Sequence, residues 1–94
     1  MTAYVNSKQI SIPAKTSGWG TVTIDGASVL SVGLQNADFQ TRCYPTQLFI
    51  NTENTVCYQV DNLNCHAVEV SLRIVTDKAA SVGDPGETGS KKLG

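Results

Sequence analysis

The sequence of 94 residues has little charge, few aromatic side chains and no long apolar run. Charged residues make up 16% of the chain, against about 25% in a typical globular domain. Seven Lys and Arg residues against eight Asp and Glu residues leave a formal net charge of −1. This balance lacks the basic surplus that attracts nucleic acid or an anionic membrane. No segment approaches the roughly 20 apolar residues of a membrane span, so we expect neither partner.

Cysteine is also scarce, at three residues: Cys43, Cys57 and Cys65. An odd number leaves at least one thiol unpaired within a monomer, and the closely spaced cysteine pairs of zinc sites are absent. The chain does not open with a basic stretch followed by an apolar one, as a secretory signal would. These features predict cytoplasmic synthesis, reduced thiols and no metal or other cofactor.

Residues suited to catalysis are few and scattered. The single histidine, His66, follows Cys65, and neighbours on a strand point to opposite faces, which disfavours a thiolate–imidazole pair. The acidic residues show no paired-carboxylate or calcium-loop spacing. We expect no enzyme, and a thiol enzyme that uses Cys43, Cys57 or Cys65 is the third and most distant alternative.

Alternation of apolar and polar residues recurs along the chain and indicates strands. Thr, Val, Ser and Gly are the most frequent residues, which favours strands and turns. The fold class is therefore predicted as all-β, a small antiparallel β-sandwich or a jelly-roll-like barrel. The predicted strands cover residues 8–12, 19–24, 28–34, 42–44, 47–50, 55–60 and 68–74. Their predicted inward faces carry Ile10, Ile12, Val22, Ile24, Leu30, Val32, Leu34, Val56, Tyr58, Val60, Val68, Val70, Leu72 and Ile74.

Two local hairpins are suggested by turn residues. Asp25-Gly26 favours a tight turn between the second and third predicted strands. A two-residue turn would set Val22 opposite Val29 and leave Leu30 on the other face. Either both faces are buried, or the connection is longer or bulged near Val29, and we expect a longer loop.

The last two predicted strands form a second candidate hairpin. Matching their apolar faces pairs Asp61 with Cys65 across a loop at residues 62–64 and sets Cys57 opposite Glu69. Cys57 and Cys65 then lie about 13 Å apart along the ladder, beyond the reach of a disulfide.

Residues 77–94 are rich in Gly, Ser and Lys, and Val82 and Leu93 are their sizeable apolar side chains. Such a composition cannot offset the entropy of ordering by burial. We therefore expect one domain at residues 1–76 and a flexible tail or arm at residues 77–94.

In its size, methionine start, all-β pattern over residues 1–76 and polar Gly-rich tail, the chain resembles the small head-decoration (cement) proteins of tailed bacteriophages. That resemblance implies a non-enzymatic virion component, usually a homotrimer, that binds where major capsid protein subunits meet and stabilises the head. Trp19, Phe39 and Tyr44 are then expected as interface anchors. Separately, the aperiodic pattern of residues 35–46 predicts that Phe39 is a buried anchor of that segment. Residues 1–7 and 77–94 are expected to act as arms.

A carbohydrate-binding β-sandwich, such as a lectin or a piece of a tail fibre or adhesin, is the main alternative. Sugars stack on flat aromatic rings, and Trp19 between two glycines could provide such a platform. Trp residues in this setting more commonly pack beneath a loop or at a subunit contact. Sugar binding would require Trp19 or a tyrosine to lie near Asn and Asp side chains at one end of the domain.

Overall fold

A computed structural model describes residues 3–36, 42–51 and 54–93, and these residues form eight β-strands and no α-helix. The strands pair into two antiparallel sheets that pack face to face without closing into a barrel, so the predicted all-β sandwich class is confirmed. The strands are β1 Tyr4–Ile12, β2 Thr16–Asp25, β3 Val29–Asn36, β4 Cys43–Asn51, β5 Thr55–Asn62, β6 Val68–Thr76, β7 Ser81–Val82 and β8 Gly86–Lys92.

The chain crosses repeatedly between the two sheets. The first sheet has the order β1-β6-β3, and the second has the order β4-β5-β2 with β7 and β8 both paired to the remaining side of β2. Only the β4–β5 connection joins two neighbouring long strands of one sheet. The central strands β6, β5 and β2 carry most of the core because both of their edges are paired.

The core lies between the sheets, and the alternation seen in the sequence places it there. On β6 every second residue from Val68 is fully buried, whereas Glu69 and Arg73 between them are exposed. The predicted inward faces of β1, β2, β5 and β6 are confirmed. The main core cluster consists of Ile10, Ile12, Val22, Ile24, Val56, Tyr58, Val60, Val68, Val70, Leu72 and Ile74.

A glycine on the inner face of β2 makes room for the largest core side chain. A Cβ on Gly20 would lie 2.6 Å from the Tyr58 hydroxyl oxygen and would also collide with the Gly86 carbonyl oxygen. The absence of a side chain at residue 20 therefore lets Tyr58 reach across β2 and lets β8 approach its other edge.

The Asp25-Gly26 turn does not form the predicted hairpin. It carries the chain from β2 in the second sheet to β3 in the first, with Gly26 at a φ of +87° that favours glycine. The longer hairpin loop that the sequence predicted here is therefore absent, and the segment between β2 and β3 crosses from one sheet to the other. The register of β3 shifts between Val29 and Ser31, so that Leu30 is exposed while Val32 and Leu34 pack against the core.

The second predicted hairpin is also wrong, because β5 and β6 belong to different sheets. Asn62, at the end of β5, is fully buried and holds this crossing together. Its Nδ2 donates to the carbonyl oxygens of Ile12, Pro13 and His66 at 3.0, 3.1 and 2.9 Å. Its Oδ1 accepts from the backbone N–H of Asn64 at 2.9 Å. One polar side chain thereby satisfies carbonyl groups from two crossings between the sheets.

The C-terminal segment is part of the second sheet, which corrects the expectation of a flexible tail. Both β7 and β8 pair with β2, and the Leu93 N–H donates to the Lys15 carbonyl oxygen at 2.7 Å. At the other terminus residues 4–7, expected as an arm, pair with the end of β6. Backbone hydrogen bonds to a sheet edge need no apolar side chain, so composition alone does not reveal them.

Strand β4 is longer than the two short strands predicted for this region. It continues through Pro45, where the register with β5 shifts between Pro45 and Gln47. Proline is tolerated there because β4 is an edge strand and a bulge accommodates the missing donor.

Candidate interaction surface

The two narrow sides of the sandwich differ in charge. On one side β1 lies near the segment that joins β7 to β8, where Lys8 Nζ is 3.3 Å from Asp84 Oδ1. The adjoining strand β8 adds the exposed charges of Glu87, Lys91 and Lys92. We call this the charged side.

The opposite side is formed by β3 and β4, which are the edge strands of their sheets and lie next to each other. Neither strand contains an Asp, Glu, Lys or Arg residue. We call this pair of strands the charge-free side. Natural sheets usually protect their edges with charge, especially lysine, so an edge without it is suited to pairing with another chain.

Large apolar side chains are exposed on the charge-free side. Tyr44 and Phe49 on β4 are each 46% exposed, Ile50 is 39% exposed, and Leu30 on β3 is 50% exposed. Seven of the nine residues of β4 are exposed. Tyr4 and Val5 on β1 are exposed to a similar degree, but they lie on the charged side.

The pairing with β5 assigns each β4 side chain to a face. Leu48 lies opposite the buried Tyr58 and contributes to the core, whereas Phe49 lies opposite Cys57 on the outer face of the second sheet. Tyr44, opposite Asp61, shares that outer face. Phe49 and Tyr44 therefore project from the same surface of the domain.

A shallow depression of 320 Å³ adjoins the charge-free side on the first sheet. It is lined by Gly33, Leu34 and Gln35 on β3 and by Arg73, which pairs with Gly33 across the sheet. Among the described residues other than Gly33 and its two chain neighbours, no atom lies within 4 Å of the place where a Cβ on Gly33 would be. The absence of a side chain at Gly33 therefore leaves the depression open beside Arg73.

Trp19 lies on the outer face of the second sheet, in register with Gln59 on β5 and Gly89 on β8. A Cβ on Gly89 would lie 2.5 Å from Trp19 Nε1, so the indole covers this part of β8. The residue packs within its own domain and is partly exposed. Trp19 and Tyr44 share a face but are separated by β5, and Phe39 lies outside the described residues.

The outer face also carries a row of polar side chains. Gln59 Nε2 donates to the hydroxyl of the buried Ser17 at 3.0 Å. Asp61, next to Ser17 in register, has a buried Oδ1 with no hydrogen-bond partner among the described residues. Gln47, across β5 from Trp19, is exposed. The sequence gives only a weak indication that these side chains lie together, because they come from three different strands.

Among the described residues, no hydrogen bond joins a cysteine thiol to His66. All three cysteines are free: Cys43 and Cys57 are half-buried on neighbouring strands, whereas Cys65 is exposed in the connection that also holds the exposed His66. Burial, and secondly the Asp61 carboxylate, raise the pKa of the Cys43 thiol. That direction disfavours the thiolate that a nucleophile requires.

Within residues 3–36, 42–51 and 54–93, no group of three His, Cys, Asp or Glu side chains is placed to hold a metal ion. None of the described residues belongs to a helix with the length and apolarity of a membrane span.

Comparisons with protein-family models, with curated proteins and with solved structures each found no match.

Proposed function

We propose that this chain is a non-enzymatic structural protein that acts by protein–protein association, as a decoration (cement) protein of a phage capsid. The observation that carries the proposal is the charge-free side, where a nine-residue edge strand exposes Tyr44, Phe49 and Ile50. Pro45 and the bulge before Gln47 interrupt the first half of this edge, whereas residues 47–51 continue without a charge or an interruption and can serve as a template for pairing with another chain.

The size of the domain supports the same role. A chain of this length buries only about 60–65% of the surface that its unfolded form exposes, so association adds stability by mass action. Decoration of a shell also gains avidity from many weak contacts made at once. In this role the chain sits between subunits of the major capsid protein, as a homotrimer in the virion.

The test uses heads of the phage whose genome encodes this chain. We expect the chain in gradient-purified heads at a fixed ratio to the major capsid protein, and we expect purified chain to rebind heads from which it has been stripped. Rebinding should raise the temperature at which the heads rupture. Absence of the chain from purified heads, together with no rebinding, would overturn the proposal.

Carbohydrate binding is the second candidate, favoured by the outer face of the second sheet. There the partly exposed Trp19 lies in register with Gln59, and the exposed Gln47 lies on the other side of β5. An aromatic ring beside amide groups is suited to sugar hydroxyls and ring faces. A glycan array probed with wild type, Trp19→Ala and Gln47→Ala tests it. Binding lost in both variants supports sugar recognition, and no binding by wild type excludes it for the glycans displayed.

Both single variants are tested, because Trp19 also packs on Gly89 and its loss could disturb the fold. Loss of binding in Trp19→Ala alone would reflect displacement of β8. Gln47 is exposed on an edge strand, so Gln47→Ala should leave the fold unchanged.

A further inference from the structure

We infer that the depression beside Gly33, on the outer face of the first sheet, binds a sugar that carries a carboxylate, such as a hexuronic acid, through Arg73. This inference goes beyond the proposed function and concerns the face of the domain opposite to Trp19. It is carried by a guanidinium group without an anionic partner, by the open space at Gly33 and by the polar side chains around it.

Arg73 carries a positive charge that no described residue neutralises. The ion pair found among the described residues joins Lys8 to Asp84, and none of their side-chain hydrogen bonds involves Arg73. Glu69 shares the outer face of β6 but lies four residues away, which is about 13 Å along the strand. The neighbouring strands β1 and β3 contain no Asp or Glu. The planar fork of guanidinium donors, which matches the two oxygens of a carboxylate, is therefore available to a ligand.

Gly33 leaves the approach to Arg73 open. The two residues are opposite each other in the register of β3 and β6, so a side chain at residue 33 would lie beside the guanidinium group on the same face. The depression of 320 Å³ is also lined by Leu34 and Gln35. Pockets for small molecules begin at about 300 Å³. The space is therefore suited to a single sugar residue and exceeds what one acidic side chain requires.

The residues around the depression are suited to hydroxyl groups. Gln35 lines it and is in register with Ser71 on β6, which is in register with Gln9 on β1. Ser7 lies on the other side of Arg73. Serine hydroxyls and glutamine amides both donate and accept hydrogen bonds, as sugar hydroxyls do. A hexuronic acid combines one carboxylate with several hydroxyl groups, so it matches more of this surface than an acidic side chain does.

The experiment titrates the isotope-labelled full-length chain with glucuronate and follows the backbone amide resonances by NMR. We expect a dissociation constant in the millimolar range, as is usual for so small a ligand in an open site. The largest shifts should occur at Gly33, Gln35 and Arg73. Glucose lacks the carboxylate and should bind at least about 10-fold more weakly.

Three substitutions test the contributions of charge, geometry and space. Arg73→Gln should raise the dissociation constant for glucuronate at least about 10-fold, because it removes the charged donor. Arg73→Lys should also weaken binding, because an ammonium group keeps the charge but lacks the planar fork. Gly33→Val should weaken binding by filling the depression. Apart from the two chain neighbours, its Cβ meets no described atom within 4 Å, so the fold has room for it.

Arg42→Gln is the matched control. It removes the same charge from an exposed arginine that does not line the depression. We expect this variant to bind glucuronate with wild-type affinity. Circular dichroism and thermal unfolding of every variant show that a loss of binding is not a loss of fold.

Absence of glucuronate-dependent shifts at Gly33 and Arg73 overturns the inference, as does equal weakening by Arg42→Gln and Arg73→Gln. Acetate that binds as tightly as glucuronate would mean that the carboxylate alone is recognised, as in an acidic peptide, and overturns the choice of a sugar. Inorganic phosphate that binds more tightly than glucuronate overturns the choice of a carboxylate.

The proposed function fails separately. A chain that binds heads but not glucuronate contradicts only the inference, whereas a chain that binds glucuronate but not heads contradicts only the function.

Discussion

The indole of Trp19 occupies the space where a side chain at Gly89 would lie, since a Cβ there would be 2.5 Å from Nε1. This contact fixes β8 against β2 on the outer face, although six of the seven residues of β8 are exposed. A glycine and a tryptophan 70 residues apart in the chain thus hold a strand that composition assigns to a flexible tail.

Gly89→Val should displace β8 from β2 and lower the free energy of unfolding by about 1–3 kcal/mol, as expected for overpacking. Hydrogen exchange of residues 86–92 should accelerate, and Trp19 fluorescence should shift to the red as the indole becomes hydrated. Gly86→Ala is the control, because a Cβ there meets its nearest atom, the Thr21 carbonyl oxygen, at an ordinary 3.6 Å. Equal effects of the two substitutions would contradict the role of the indole contact.

Asn62→Ala should be among the most destabilising polar substitutions. It removes the Nδ2 amide group that donates hydrogen bonds to the carbonyl oxygens of Ile12, Pro13 and His66. The side chain of Asn62 is fully buried, so water cannot replace these bonds. Leaving such groups without partners costs about 2–3 kcal/mol. The urea midpoint should fall while the slope of the transition stays the same.

Asn6→Ala provides the comparison for Asn62. Asn6 Nδ2 reaches the Ile74 carbonyl oxygen and Thr76 Oγ1 at 3.3 Å each, and the residue is half-buried on an edge strand. A loss of about 0.5–1.5 kcal/mol is expected there. A loss as large as that of Asn62→Ala would show that Asn62 is not special to the crossings.

Stability should decline in alkali because of Tyr58. Burial, and secondly the Glu87 carboxylate, raise the pKa of Tyr58 above its ordinary value of 10.0. The stabilising contribution is therefore complete below pH 10.0 and is lost as the pH rises through the folded-state pKa, since the unfolded chain releases the proton first. Urea unfolding on both sides of that pH measures the decline.

Tyr58→Phe should flatten this decline, because the substituted ring carries no ionisable hydroxyl. Tyr44→Phe, at an exposed position on β4, serves as the control and should follow wild type. An identical alkaline slope in wild type and in Tyr58→Phe would refute the assignment to Tyr58.

Thiol labelling separates the structural role from a thiol enzyme. Cys65 is exposed, whereas Cys43 is half-buried with a raised pKa. Iodoacetamide should modify Cys65 faster than Cys43, and all three thiols should react slowly near pH 6, where ordinary thiols stay protonated. Rapid modification of any cysteine at that pH would contradict the non-enzymatic proposal. Peptide mass spectrometry assigns the modified residue.

The local faces of the strands were predictable from the sequence. Alternation along β6 places Val68, Val70, Leu72 and Ile74 inward, and the structure buries all four. Alternation depends on the two-residue period of a strand, which holds whichever strand becomes its neighbour. The same reasoning identified the inward residues of β1, β2 and β5.

The candidate surface was predictable only in part. Tyr44 was recognised from the sequence and is exposed on β4, but Phe49 was not, because it lies in a short apolar run that reads as core. The depression at Gly33 could not be predicted from the sequence, because it depends on which strand pairs with β3. That strand is β6, which places Arg73 opposite Gly33. The absence of charge in both strands could have been read from the sequence once their places at the sheet edges were known.

The sequence by itself determined that this chain forms strands, which residues of β1, β2, β5 and β6 point inward, and that its positive and negative charges nearly balance. Only the tertiary structure decided which strands pair, because a turn such as Asp25-Gly26 can close a hairpin or carry the chain to the other sheet. Tertiary pairing also decided that residues 86–92 form a strand, because the hydrogen-bonding edge of β2 is assembled from residues distant in the chain.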